Sequence, residues 1–171
     1  AMSGHVMRGG RHFVEFSTAS DGSSMSICLG AIRPVSLTDG IDFEGDVNPA
    51  IVASNYKSAA AEKLRSQRTA KWGDSNVHCC TYRCDYGHCF CNDWNNDTNS
   101  PEWQGREGLG GSGTVGLLLD LNEGTLSVFK NGRFLGVMKE GLGGEYCWFV
   151  TVASPCTIGI SRGTAPNLSA A

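Results

Sequence analysis

The stretch from His78 to Cys91, "HCCTYRCDYGHCFC", carries five of the chain's eight cysteines and two of its four histidines. Thiols and imidazoles this close together can ligate zinc or pair as disulfides, so this run is the first place where chemistry could sit. Its order, C-C-x3-C-x4-C-x-C, differs from the two separated C-x2-4-C pairs of a zinc knuckle. With Asp85 to His88 as a hairpin turn, Cys84 faces Cys89 and Tyr82 faces Cys91. Alternation then puts Cys80, Tyr82, Cys84, Cys89 and Cys91 on one sheet face and Cys79 on the other. A flat row of thiols does not converge tetrahedrally without a further ligand such as Cys147 or Cys156. The cysteines therefore read as reduced, packed side chains with Cys84 beside Cys89, and neither a metal nor a cofactor is expected.

Other chemical motifs fail on their context. Gly108 to Gly113 and Gly111 to Gly116 both spell G-x-G-x-x-G, but they follow a polar loop and open a strand, where a dinucleotide fingerprint must open a helix. Asp93, Asn95, Asp97 and Asn99 alternate as in the start of an EF-hand loop. Thr98 then occupies the position that needs Gly, and Gln104 the position that needs a bidentate Glu. No G-x-S-x-G or H-E-x-x-H is present, and Asp120 and Glu123 flank a tight turn, where Asp caps backbone amides. The chain reads as a non-enzyme.

The elements that must carry these residues are mostly strands. At 171 residues the chain suits one domain, with roughly two-thirds of its unfolded surface available for burial. Short apolar or alternating runs recur between Gly, Asn, Asp and Ser: "FVEFS", "ICLGAI", "AIVAS", "VHCCTYRC", "HCFCND", "VGLLLDL", "TLSVFK", "RFLGVM", "WFVTVA" and "CTIGIS". That spacing predicts an all-β sandwich or barrel. Asn131-Gly132 sets a type I′ hairpin that pairs Lys130 with Arg133 and Phe129 with Phe134. Asn122-Glu123-Gly124 reverses the chain just before it, completing a three-stranded meander. Ser58 to Trp72 holds good helix formers without Gly or Pro, and Leu64 is its only large apolar residue before Trp72. It reads as a surface helix or an insertion between strands. Asn92 to Gly113 reads as a long polar loop.

The formal charge of -3 argues against nucleic acid or a membrane surface held by bulk charge. No apolar run is long enough to span a membrane, and no signal-peptide h-region opens the chain. With eight cysteines in no disulfide framework, an intracellular, cytoplasmic setting and a monomer are expected. Asn96 and Asn167 begin glycosylation sequons, which matter only in a secreted protein. Residues 1–3 read as a leader or cloning remnant, 4–162 as the domain and 163–171 as a tail, the whole cut from a longer protein.

With the strands placed, "GTVGLLLDLNEGTLSVFKNGRFLGVMKEGLGGEYCWFVTVASP", Gly113 to Pro155, resembles the C-terminal core of a SPRY domain. "GGRHFVEFS", "ICLGAIRP", and Trp72-Gly73 followed by "YRCDYGHCFCND" resemble earlier family segments in the same order. Val14 stands where the family often has Trp, Ser58 to Lys71 is an insertion, and "NDWNNDTNSPEWQG" is longer than the family's link. The resemblance implies two packed antiparallel sheets with Greek-key connections, in a concanavalin-type jelly roll. It also implies a non-catalytic module that binds a protein or peptide through loops at one edge. On that basis the partner-binding residues expected are Arg33 and Asp42 after "ICLGAI", Asn48 before "AIVAS", Trp72, and Ser154 with Pro155 after "WFVTVA". Arg33 would serve as a bidentate anchor and Trp72 as an apolar one, although Trp72 also matches the family's framework tryptophan. The alternative is a lectin-like module binding carbohydrate through Asn92 to Glu102, assisted by calcium.

Overall fold

The computed structural model describes residues 1–19, 26–37, 49, 58–100, 103–153 and 156–166. Ten strands run in the order β1 (Arg11–Ala19), β2 (Ile27–Ile32), β3 (Cys79–Arg83), β4 (His88–Asn92), β5 (Asp97–Ser100), β6 (Gly113–Asp120), β7 (Thr125–Lys130), β8 (Arg133–Glu140), β9 (Cys147–Val152) and β10 (Thr157–Arg162). A helix α1 (Ser58–Ser66) and a 3₁₀ turn (Ala70–Trp72) lie between β2 and β3. The strands form two antiparallel five-stranded sheets, β10-β1-β6-β7-β8 and β5-β4-β3-β2-β9. This is the expected all-β sandwich. The candidate strand "AIVAS" lies outside the described residues.

Alternating side chains from both sheets fill the space between them. Val14 and Phe16 of β1, Leu117 and Leu119 of β6 and Val128 of β7 meet Leu29 of β2, Cys80 and Tyr82 of β3 and Val150 of β9. β2 is buried along its whole length. Its inner face joins this core, while Ile32 joins a second cluster on the outer face of the sheet, with Ala61 and Leu64 of α1, Trp72, Cys79, Trp94, Cys147 and Phe149. Burial on both faces explains why "ICLGAI" reads as a continuous apolar run rather than an alternating one. Gly30 sits mid-strand because a Cβ there would overlap the carbonyl oxygen of Cys80 on β3.

The meander has the expected register. Lys130 faces Arg133 and Phe129 faces Phe134, with Asn131 and Gly132 both at positive φ, as a type I′ turn requires. At the preceding turn the Asp120 carboxylate accepts the amides of Asn122 and Glu123, the capping role expected of it.

The cysteine hairpin differs. Tyr82 pairs with Cys89 and Cys80 with Cys91, a slip of two residues from the expected register. Arg83 and His88 close the hairpin, Gly87 takes φ 70°, and Cys84 leaves it to donate its amide to Ile27 O, so Cys84 is not the neighbour of Cys89. Asp97–Ser100, expected in a loop, forms edge strand β5 beside β4. α1 is shorter than the segment suggested, yet it buries Ala61 and Leu64 almost completely.

Candidate functional site

Arg33 and Trp72 do come together, but inside the protein. Both are fully buried, with the guanidinium 4.1 Å from the Tyr146 ring centroid and 5.6 Å from that of Trp72. Its Nη1 donates to Gly143 O at 2.7 Å and Glu145 O at 3.1 Å, and its Nη2 donates to Ser75 O at 3.1 Å. The side chain that was expected as a surface anchor therefore staples two loops to the end of β2. Arg is tolerated in such a place because carbonyl oxygens and ring faces replace its water. Burial lowers the Arg33 pKa, and the neighbouring Tyr146 works against that shift.

Trp72, Trp94 and His78 complete this cluster, each ring centroid 5.1–5.6 Å from the next. Burial, then the Arg33 charge, pushes the His78 imidazole down to about 4, so the ring is neutral at ordinary pH. Trp94 reaches the cluster through a positive φ of 59°, unusual for an aromatic residue, and donates its indole N–H to Pro49 O at 3.1 Å. The turn that permits this is built by Asp93, whose Oδ1 accepts the amides of Asn95 and Asn96. That carboxylate, first of the alternating acidic series, is thus turned onto its own backbone. Sequence pattern missed Trp94; its signal was a large apolar residue set among turn formers in "NDWNND".

Asp42, Asn48, Ser154 and Pro155 lie outside the described residues. Their described neighbours nevertheless converge. Val35 and Leu37 follow Arg33, Pro49 follows Asn48, and Val152 and Cys156 flank the Ser154-Pro155 pair. All of them line one groove of about 890 Å³ between the β9 and β10 edges of the two sheets. Phe149, Ile158 and Ile160 complete its apolar wall. Val152 is 48% exposed and Ile160 64% exposed, whereas Phe149 belongs to the outer-face cluster behind them. One wall is fixed by Gln67, whose side-chain amide brackets the Ser36 backbone: Ser36 N donates to Oε1 at 2.6 Å, and Nε2 donates to Ser36 O at 3.0 Å.

The two strands at this edge differ. β9 is extended on its outer side by the N-terminal residues, with Met2 bridged to Phe149 and Met7 to Tyr146. β10 bears no further strand among the described residues, and most of its side chains are exposed. A second hollow of about 430 Å³ adjoins the groove, sharing Ala1, Met2, Val150 and Ile160, and it brings His5, Arg11, His12 and Arg162 to its walls. Among the described residues, the arrangement is an open sheet edge beside an apolar trough with a basic end.

No family model and no curated protein sequence matches the chain. Its structure is similar to that of the SPRY domain of human HERC1, with a TM-score of 0.51 and 14% identity, over 94% of this chain and 79% of that one. The TRIM65 PSpry domain also matches, with a TM-score of 0.47 and 13% identity, over 95% of this chain and 68% of that one. The fold is SPRY-like. No helix among the described residues is long and apolar enough to cross a membrane.

Proposed function

We propose that the chain is a non-catalytic protein-interaction module whose partner is an extended peptide segment laid along β10. The observation that carries this reading is the pairing of an exposed strand edge with an apolar trough, Ile158, Ile160 and Val152 on one side and Val35, Leu37 and Phe149 on the other. Unpaired backbone groups of an edge strand recruit an extended chain, and pockets beside them select alternate side chains. The basic end formed with Arg11 and Arg162 favours a peptide that carries an acidic residue beyond its apolar ones. Arg11 already pairs with Asp120 at 3.3 Å, so Arg162 is the freer cation for that role.

Arg33 and Trp72 support the reading indirectly, by fixing the end of β2 from which Val35 and Leu37 continue. The test is selection from a random peptide library on the immobilised chain, with Ile160→Asp protein as the counter-selection. Enrichment of peptides with apolar residues near an acidic one, lost on the variant, supports the proposal. Peptides that bind both proteins equally would reject it.

A further inference from the structure

Three thiols that the groove does not use converge between the sheets. The two-residue slip of the hairpin sets Cys80 of β3 opposite Cys91 of β4, with Cys89 on the same inward face. The Cys89 Sγ lies 3.3 Å from the Cys91 Sγ and 3.9 Å from the Cys80 Sγ, and all three sulfurs lie within 4.8 Å of one another. Metal–sulfur bonds of about 2.3 Å in a trigonal plane hold sulfurs about 4 Å apart. The Cys80–Cys89 separation of 3.9 Å matches that, and the Cys89–Cys91 pair at 3.3 Å needs only a small opening.

Among the described residues this is the only group of three or more His, Cys, Asp or Glu side chains so close together. Cys79 and Cys147 belong to the cluster on the opposite face of the sheet, so neither supplies the fourth ligand that structural zinc takes. A disulfide between Cys89 and Cys91 is disfavoured too. Two residues apart on one strand, their Cα atoms stand roughly 6.7 Å apart, at the outer limit for a bridge.

We propose that Cys80, Cys89 and Cys91 bind a soft d10 cation in trigonal thiolate coordination, copper(I) being the ion whose preferences fit three sulfurs without a fourth donor. Binding displaces the thiol protons to solvent, and the ion together with Lys139 offsets two of the three thiolate charges. A pocket of about 190 Å³ lined by Val77, Cys91, Asp93, Asn96 and Lys139 reaches Cys91, one of the three, while Cys80 and Cys89 are fully buried behind it.

The test is anaerobic titration of the reduced chain with copper(I) against a chromogenic copper(I) chelator. One equivalent retained per chain, an ultraviolet thiolate-to-copper band that saturates there, and a three-sulfur shell by X-ray absorption are expected. Cys89→Ser and Cys91→Ser should each weaken retention at least a hundredfold, while Cys156→Ser, at the half-buried thiol of the groove, leaves it unchanged. The absorption measurement on the unaltered chain decides the matter even where a serine variant fails to fold. No retained equivalent, a shell of other than three sulfurs, equal retention in Cys89→Ser, or preferential uptake of zinc(II) at this site would overturn the proposal.

Discussion

The aromatic cluster on the outer face of one sheet and the groove at its β9 edge are built from shared residues, Val35 and Phe149 among them, yet they finish in opposite states. In the cluster, Arg33 gives its two Nη groups to three carbonyls of its own chain, and His78 sits neutral among two indoles. The Arg33 Nε, the Trp72 indole N–H and both His78 ring nitrogens are buried without a hydrogen-bond partner among the described residues. In the groove, Val152 and Ile160 remain exposed beside a strand edge. The contrast separates two meanings of an unusual residue. A charge in the interior is fitted to its own chain, whereas apolar side chains at the surface are left for another.

Changes in the cluster should therefore cost stability, and changes in the groove should cost binding. The largest stability effect is expected from Arg33→Ala, which removes the ring contacts and leaves the Gly143, Glu145 and Ser75 carbonyls without their donor. A loss of about 3 kcal/mol or more in urea unfolding is expected, since each buried carbonyl left without its donor costs about 1–3 kcal/mol. A loss below about 1 kcal/mol would mean that the cluster is not a structural staple.

Next comes acid. His78 binds a proton near pH 6.5 when unfolded but only near pH 4 when folded, so the unfolded chain takes up more protons between those values. Stability is then fully present above pH 6.5 and declines as pH falls toward 4, by roughly 3 kcal/mol at most. Denaturation midpoints across that window check the slope, and His78→Phe should flatten the part of it due to this ring.

In the groove, Ile160→Asp should change stability by no more than about 0.5 kcal/mol, as for a surface site. It should weaken a selected peptide by more than about tenfold, read by calorimetry or fluorescence anisotropy. Arg162→Glu should weaken that peptide only a few-fold, and by less at high salt, because an exposed charge is screened. If Ile160→Asp destabilises as much as Arg33→Ala, the distinction between the two regions fails.

Much of this was legible in the sequence. Alternation and turn chemistry located the strands, and Asn131-Gly132 fixed a register because both residues must take positive φ. The cysteine hairpin had no such pin. A slip of two residues keeps every side chain on its face, so apolar pattern cannot detect it, and the displaced pairing was decided by Gly87 closing the turn and Cys84 turning to Ile27. β5 was hidden because "DTNS" is polar, as edge strands often are.

The groove was legible only by its margins. Residues flanking the expected Asn48, Ser154 and Pro155 line it, although those three lie outside the described residues themselves. Arg33 was placed outside rather than inside because nothing in a linear pattern reveals carbonyls from Ser75 and Gly143 arriving to receive a guanidinium. Gln67 clasping Ser36 is equally non-local.

The most direct test is amide chemical-shift mapping of the isotope-labelled chain during titration with a library-selected peptide. The account predicts saturable shifts concentrated on Val35, Leu37, Val152, Ile158 and Ile160, with the amides of Arg33, Trp72 and His78 moving little. Shifts centred on Glu107, Lys130 and Arg133, far from the β9–β10 edge, would contradict it.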